Sequence, residues 1–420
     1  MHELNSHPVL PESDADALDH RIECDALRRV APWVPTSEIR LLCRVWTRSR
    51  RETTAPSQEV VLGRTRTFVG LMTHRESRAL EFMQNVFKEI GSQVNRFLCE
   101  RDQPDEESLL TVFLKLDINS HKIMSWDGTI GCALFLGGSV FNHACAPDHR
   151  IAYYFDGGHF VIKAMENLEV NSPEDINISY VPSTLPRELR RIQLKEKYFF
   201  DCACRRCLGQ EVVVSEASEK LVKEAQQLRA RPDTKQKLIE IKEFLASPSI
   251  ASLANNDYTK LVVTVGLFGL YGTLEMPVDA VRIGEQLTRT YRKMDIAAVD
   301  HLYLICQMFT AALNAGWFDK RNPNHSRFLR LLNQAHADSQ KIFGPGHYHS
   351  KLIASIYDLA KQQLLSGKKA MQLYGLASAL RNYALWLPVY MSVANCQWEL
   401  DAFESVIQKK YSLILQQAHT

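Results

Sequence analysis

YFFDCACRRC, from Tyr198 to Cys207, contains three cysteines within six residues. In a chain without an export signal, such a cluster favours a bound metal over disulfides. Tetrahedral zinc needs a fourth ligand, which in structural sites is a cysteine or a histidine. A second stretch, FNHACAPDHR from Phe141 to Arg150, offers Cys145, with His143 and His149 as alternatives. The two stretches predict one structural zinc that joins distant parts of the chain.

The overall charge excludes some classes of protein. The 420 residues include 50 basic and 48 acidic side chains, a formal net charge of +2. This balance argues against nucleic-acid and membrane-surface binding. No run approaches the roughly 20 apolar residues of a membrane helix, and the N-terminus lacks the apolar segment of a secretory signal. We therefore expect a reduced, soluble, intracellular protein.

The chain divides into three parts by hydrophobic periodicity. Residues 1–23 are polar, and from Pro32 to about Ser125 apolar residues recur at helical spacing. From Ile130 to Val181 the pattern is that of strands. There RIAYYF and HFVIKAM, joined by DGG, predict a β-hairpin, and INISYV predicts a further strand.

After Gln210 the sequence predicts successive helices with short connectors. Small residues recur where helices would pack closely, although no strict 34-residue consensus is present. A tetratricopeptide-like arrangement is the prediction and an irregular helical bundle is the alternative. The predicted fold class is α+β, a β-rich core followed by an all-α domain.

Four motifs resemble a known family. FNHACAPD, INISYV and YFFDCACRRC resemble the C-terminal half of a SET domain and its post-SET zinc loop, and FGPGHYH at Phe343–His349 resembles the family's C-terminal domain. The chain is similar to the SET-and-MYND (SMYD) protein-lysine methyltransferases. The resemblance implies a helical insert at 24–125, the C-terminal half of the SET core at 126–182, a post-SET region at 183–210 and a tetratricopeptide-like domain at 211–420.

The resemblance also implies roles for individual residues. Tyr180 corresponds to the catalytic tyrosine, and His121 and Tyr198 to the lysine channel. The positions that correspond to contacts with S-adenosylmethionine are Asn119, Ser139, Asn142, His143, Tyr180 and Phe200. The positions that correspond to ligands of one structural zinc are Cys145, Cys202, Cys204 and Cys207.

The sequence also departs from the family pattern. Ala144 and Asp148 replace a serine and an asparagine, and NSPED stands where the family has a glycine-containing turn. The family's N-terminal strand pair and two-zinc MYND module have no counterpart before residue 20. HRIEC, from His20 to Cys24, resembles only the last two MYND ligands, so we expect residues 1–23 to be a mobile segment without a MYND zinc.

Two functions follow from these observations. The first is protein-lysine N-methylation with S-adenosylmethionine, on a histone or another protein. The alternative is a catalytically inactive scaffold that binds partners through the helical domain. A zinc hydrolase is disfavoured because four thiolates leave no open coordination position. The resemblance further implies a monomer in the nucleus or the cytoplasm, with no membrane partner and no direct nucleic-acid binding.

Overall fold

The structure is a computed structural model, and it describes most of the chain up to residue 362. The described residues are 23–51, 58–78, 80–125, 128–145, 151–156, 159–172, 175–182, 184–209, 216–294 and 299–362. The first 22 residues, which include His20 of the predicted MYND remnant, lie outside these ranges. So do His149 and the predicted helix MQLYGLASALRNYALWL. Within the described ranges, every helix is too short or too polar to cross a lipid bilayer.

The N-terminal part of the described chain is a group of four helices around one apolar core. They are α1 (23–30), α2 (Ser37–Arg51), α3 (Leu80–Phe97) and α4 (Glu106–Asn119). Asp105 caps α4 by accepting a 2.8 Å hydrogen bond from the backbone N–H of Ser108. Buried Glu23 joins α1 to α2 through ion pairs with Arg40 and Arg44.

Strands lie between and after these helices, and within the described residues they form four two-stranded sheets. The strands are β1 (Gln58–Val61), β2 (Arg64–Thr67), β3 (Ser120–Ser125), β4 (Gly128–Leu134), β5 (Asn142–His143), β6 (Ile151–Asp156), β7 (His159–Ala164) and β8 (Asn177–Ile178). Strands β6 and β7 pair antiparallel from Ile151↔Ala164 to Asp156↔His159, which confirms the predicted hairpin. The strand predicted in INISYV is only the two residues of β8.

The prediction of a wholly helical pattern from Pro32 to about Ser125 was wrong in two places. Residues 58–67 form the antiparallel β1–β2 hairpin, and 120–125 form β3. The hairpin turn has positive φ at Leu62 (49°) and Gly63 (77°), the left-handed conformation of a tight two-residue turn. The signal was therefore present as Val-Leu-Gly between two short alternating segments, but it was too short to stand out from the helices around it.

Short helices and a longer helical series complete the described chain. They are α5 (Arg187–Tyr198), α6 (Arg205–Leu208), α7 (Glu216–Ala230), α8 (Lys235–Ala246), α9 (Pro248–Ala251), α10 (Tyr258–Thr273), α11 (Pro277–Met294), α12 (Asp300–Asn314), α13 (His325–Ile342) and α14 (Tyr348–Gln362). Helices α10, α11 and α12 pack in succession, as do α13 and α14. The α+β class is thus confirmed.

The helical series and the β6–β7 hairpin share one hydrophobic core. Ala152 and Tyr154 of β6 are buried among residues of α11 to α14. Tyr154 donates a 2.9 Å hydrogen bond from its hydroxyl to the carbonyl of Phe343. His347, from the FGPGHYH connection between α13 and α14, lies 3.1 Å through Nε2 from the carbonyl oxygen of Phe155. The outer face of the hairpin is therefore covered by the C-terminal helices.

Helices α11 and α12 approach most closely at Gly284. A Cβ atom there would lie 2.1 Å from Sδ of fully buried Met308 and 3.0 Å from the ring of Phe268. We expect Gly284→Ala to lower the free energy of unfolding by about 1–3 kcal/mol, because the methyl group would overpack the core. Urea denaturation of the full chain measures this change.

Gly269 of α10 provides the matched control. It is exposed, and a Cβ atom there would meet nothing within 4 Å. Gly269→Ala should therefore stabilise the protein by about 0.5–1 kcal/mol, because alanine is the better helix former. Equal effects of the two substitutions would contradict the close approach of α11 and α12.

Candidate functional site

Four cysteines from two separate loops converge on one point. Cys145 follows β5, Cys202 and Cys204 lie in the loop after α5, and Cys207 lies in α6. Their four sulfur atoms lie within 4.8 Å of one another, and the Sγ atoms of Cys145 and Cys207 are 3.6 Å apart. Zn–S bonds of about 2.3 Å in a tetrahedron put sulfurs about 3.8 Å apart. The cluster therefore has the composition and spacing to hold one metal ion.

The environment of the cluster favours ligands over reactive thiols. Cys145, Cys202 and Cys207 are buried, and Cys204 is half-buried. Burial raises the pKa of the Cys145 thiol, and it raises the pKa of Cys202 to about 12. Burial would also raise the pKa of Cys204. Backbone hydrogen bonds from Cys145 and Cys207 outweigh this effect, so the pKa of the Cys204 thiol is lowered. A bound divalent cation deprotonates its coordinating thiols.

The turn that directs the chain into the cysteine loop is made by Phe199. This residue ends α5 in a left-handed conformation with φ of 60°, and its N–H donates to the carbonyl of Lys195. Left-handed backbone is uncommon for an aromatic residue. Packing holds it here, since the Phe199 ring lies 5.2 Å from the ring of His74 and 5.2 Å below the guanidinium of Arg78.

His143 joins the thiol cluster to Tyr180. Its Nδ1 accepts a 3.0 Å hydrogen bond from the backbone N–H of Tyr180. Because Nδ1 is an acceptor, the proton of the neutral ring is on Nε2, which lies 3.2 Å from Sγ of Cys145. His143 was an alternative ligand in the sequence, but in the structure it contacts a sulfur of the four-cysteine set. The fourth sulfur is that of Cys145.

Two aromatic side chains lie beside His143, and a third packs on one of them. The rings of Tyr180 and Tyr198 are 4.8 Å apart, and the His143 ring lies 5.2 Å from Tyr180 and 6.0 Å from Phe200. The hydroxyl of Tyr180 donates a 2.5 Å hydrogen bond to the carbonyl of Phe141. The structure thus brings together four of the residues predicted from the sequence, from three separate stretches of the chain.

Both tyrosine hydroxyls are neutral near pH 7. Burial raises the pKa of Tyr180 to about 12, with a smaller contribution from Tyr198. Burial, and then the charge of Asp117, raise the pKa of Tyr198 to about 12. A neutral phenol donates and accepts hydrogen bonds but does not act as a strong base. The pair can orient a polar group between aromatic faces.

The other predicted cofactor residues have structural partners. Asn119, at the end of α4, donates from Nδ2 to the carbonyls of Met72 (3.1 Å) and Lys115 (2.7 Å). Ser139 donates from its hydroxyl to the carbonyl of Leu136, 2.7 Å away, within the 3₁₀ turn Gly137–Val140. Exposed Asn142 pairs in β5 with Asn177 of β8. This parallel pairing brings β5 beside the segment that leads into Tyr180.

His121 lies in a different aromatic group. In the part of the chain that the structure describes, its ring packs with those of Phe135, Phe155 and Phe160, the nearest at 4.6 Å. Burial lowers the pKa of His121 to about 4, so the ring is neutral. Its predicted place in a lysine channel with Tyr198 stays a prediction.

Comparison with known proteins shows which proteins this chain resembles. No family model matches it. It is 29% identical over 199 residues to histone-lysine N-methyltransferase SMYD3 of Mus musculus, covering 46% of this chain and 44% of that protein. It is 27% identical over 247 residues to SMYD3 of Homo sapiens, covering 55% of each chain. This chain is therefore similar to SMYD methyltransferases over about half of its length.

A second branch of the family matches the same chain. N-lysine methyltransferase SMYD2-A of Danio rerio is 27% identical over 190 residues, covering 45% of this chain and 42% of that protein. The chain therefore spans about half the length of the curated SMYD relatives it matches. The methyltransferase activities are those of the relatives.

The structure adds residues that the sequence motifs of the SMYD family did not indicate. Arg78 stacks on Phe82 and Phe199 and donates from Nη2 to a carboxylate oxygen of Asp117, 2.6 Å away. Asp117 in turn affects Tyr198 electrostatically. A second arginine, Arg190, lies beside the thiol cluster. Neither arginine could be found from spacing, because the partners of each are far apart in the chain.

We expect the full chain to bind about one divalent metal ion through the four cysteines. Cys204→Ser should abolish stoichiometric binding and lower the thermal unfolding midpoint, because three thiolates hold the ion less tightly. Elemental analysis and calorimetry on the same sample measure both effects. Cys132→Ser, at a half-buried cysteine outside the cluster, is the control. Metal loss in both variants would contradict the four-cysteine site.

Proposed function

We propose that this chain is an S-adenosylmethionine-dependent protein-lysine N-methyltransferase acting on a histone or another protein. The observation that carries the proposal is the packing of Tyr180 against Tyr198, 4.8 Å apart, beside His143. The substrate lysine must lose its extra proton and its water shell to enter such a site. Two neutral phenols and their ring faces provide a suitable apolar surface with hydrogen-bonding groups for its neutral amine. Similarity to the SMYD methyltransferases supports this chemistry.

The tyrosine pair would act on the lysine amine. S-adenosylmethionine, when bound, supplies the electrophilic methyl group on its sulfonium. Burial between rings disfavours a charged ammonium and so favours the neutral, nucleophilic amine. The Tyr180 hydroxyl uses its proton for the carbonyl of Phe141, so its oxygen is directed to accept an N–H of the amine. This holds the nitrogen lone pair in line with the methyl group.

Other residues would hold the cofactor. We assign this role to Asn119, Ser139, Asn142, His143 and Phe200, together with Tyr180. Because the Nδ2 group of Asn119 donates to two carbonyls, its contact with the cofactor would be made through Oδ1. Phe200 offers a flat face for stacking on adenine. The lysine channel would be lined by Tyr198 and His121.

The metal would be a structural zinc. Four thiolates of Cys145, Cys202, Cys204 and Cys207 complete a tetrahedron and leave no position for water or substrate. Zinc would then hold the Cys202–Cys207 loop on β5, and through the contact of Cys145 with His143 it would support the position of Tyr180. This role requires no chemistry at the metal.

The proposal includes the domain assignment and the cellular setting. Residues 24–125 would be the insert, 126–182 the C-terminal half of the SET core, 183–210 the post-SET region and 211–420 a tetratricopeptide-like domain. We propose a monomer in the nucleus or the cytoplasm.

A binding or scaffold function is the second candidate. It is favoured by Asn119, whose donors are engaged by the chain itself, and it would use the helical domain for partners. Calorimetric titration with S-adenosylmethionine separates the two candidates. No heat of binding to zinc-loaded chain would favour the scaffold, and micromolar binding would favour the enzyme.

Tyr180→Phe tests the catalytic assignment. We expect kcat to fall about 100-fold or more, because the oriented hydroxyl is lost at the reacting centre. Methyl transfer to arrays of lysine peptides and histones measures the rate. Tyr153→Phe is the control, since it removes a hydroxyl bonded to the carbonyl of Ser179 in the same core. Equal activity of the two variants would refute the role of Tyr180.

The pH profile is a further test. Below the lysine pKa of about 10.4, kcat/KM should rise roughly tenfold per pH unit as the neutral amine becomes available. Ionisation of Tyr180 should not make kcat/KM fall at high pH, because burial raises the pKa of Tyr180 to about 12. Initial rates from about pH 7 to about pH 10 measure this. A decline within that range would show that Tyr180 is not the neutral group assigned here.

A further inference from the structure

A buried arginine lies directly beside the thiol cluster. Arg190 is 0% exposed, in the first turn of α5. Its Nη1 donates to the carbonyl of Leu185 at 2.6 Å, and its Nη2 donates to Sγ of Cys207 at 3.9 Å. Its positive charge also acts on Cys145, where it favours the thiolate. The backbone contact fixes the guanidinium so that one edge faces the sulfurs.

The metal-loaded cysteine cluster carries negative charge that Arg190 can compensate. Four thiolates and one divalent cation carry two net negative charges. Three of the four cysteines are buried, and an uncompensated buried charge is strongly unfavourable. Arg190 supplies one positive charge inside the same apolar environment. It therefore lowers the free energy of the metal-loaded cluster relative to the empty one.

Its position separates Arg190 from the tyrosine pair. His143 contacts the sulfur of Cys145, whereas Arg190 contacts the sulfur of Cys207. A change at Arg190 thus removes a direct contact with Cys207, while the contact of His143 with Cys145 stays in place.

We propose that Arg190 is the counter-charge that retains the metal ion at the four-cysteine site. The inference rests on the structural zinc included in the proposed function. Arg190 is a positioning residue, since it contacts a ligand and not the ion. Partners of this kind typically change metal affinity 10- to 100-fold when removed.

The experiment follows zinc release from the zinc-loaded full chain into excess chelating dye. Arg190→Met fills similar volume without charge and should release zinc ~10-fold faster or more. Arg191→Met is the matched control, because Arg191 is the next residue of α5 and is exposed. It should release zinc at the wild-type rate. Release from Arg190→Met within about twofold of wild type would overturn the proposal.

A second pair of variants tests the proposal even if Arg190→Met does not fold. Arg190→Lys keeps the charge, and Arg190→Gln keeps hydrogen-bonding capacity without it. Faster release from the glutamine variant than from the lysine variant supports a counter-charge. Equal release from both overturns it, since hydrogen bonding or packing alone would then account for the residue.

Cobalt(II) substitution supplies a readout independent of rate. Absorption bands of tetrahedral thiolate-bound cobalt should appear in wild type and in Arg190→Lys at equal intensity, and Arg190→Met should need more cobalt to reach them. Equal cobalt affinity in all three chains would overturn the role of Arg190. Absence of zinc and of cobalt bands in wild type would refute the metal site itself, whatever the outcome for methyl transfer.

Discussion

The two hydrogen-bonding contacts of His143 are the interaction on which the rest of the site depends. One side of the ring receives the backbone N–H of Tyr180 and the other faces the sulfur of Cys145. This single side chain therefore sets the relation between the thiol cluster and the tyrosine pair. A ring that acts through both nitrogens has a fixed tautomer and a fixed plane. These contacts restrain the position of the His143 ring, although the surrounding chain consists of short strands and loops.

The C-terminal helices also support the strand-rich region that contains the site. Strands β6 and β7 form only a two-stranded sheet, and such a hairpin has marginal stability by itself. Ala152 and Tyr154 are buried in the core of α11 to α14, and the carbonyls of Phe343 and Phe155 bind across the boundary. The strand-rich region consequently depends on the C-terminal helices for its apolar cover. A scaffold role and an enzymatic role would both use this joint core.

Two buried glutamates in the described part of the protein are paired with positive charge. Glu23 is paired with two arginines, and so is Glu285, because a buried carboxylate is unfavourable without opposite charge. Arg190 makes a similar contact, with sulfur in place of carboxylate. The positive charge of Arg190 is compensated when the cysteines are thiolates. The protonation of the thiol cluster therefore affects the stability of α5.

Much of this protein could be predicted from its sequence, because the relevant signals are local. The 2–3 spacing of Cys202, Cys204 and Cys207 indicated a metal site, alternating residues around DGG indicated the β6–β7 hairpin, and short motifs indicated the SMYD family. The β1–β2 hairpin and the contacts of Arg190 were not predicted. The resemblance named Cys145 as the fourth ligand, and the structure groups its sulfur with the other three. Only the tertiary structure decided that His121 packs among phenylalanines and that Arg190 faces the sulfurs. Periodicity and spacing report on neighbours along the chain, whereas these contacts join residues far apart in the sequence, and packing alone determines which of them meet.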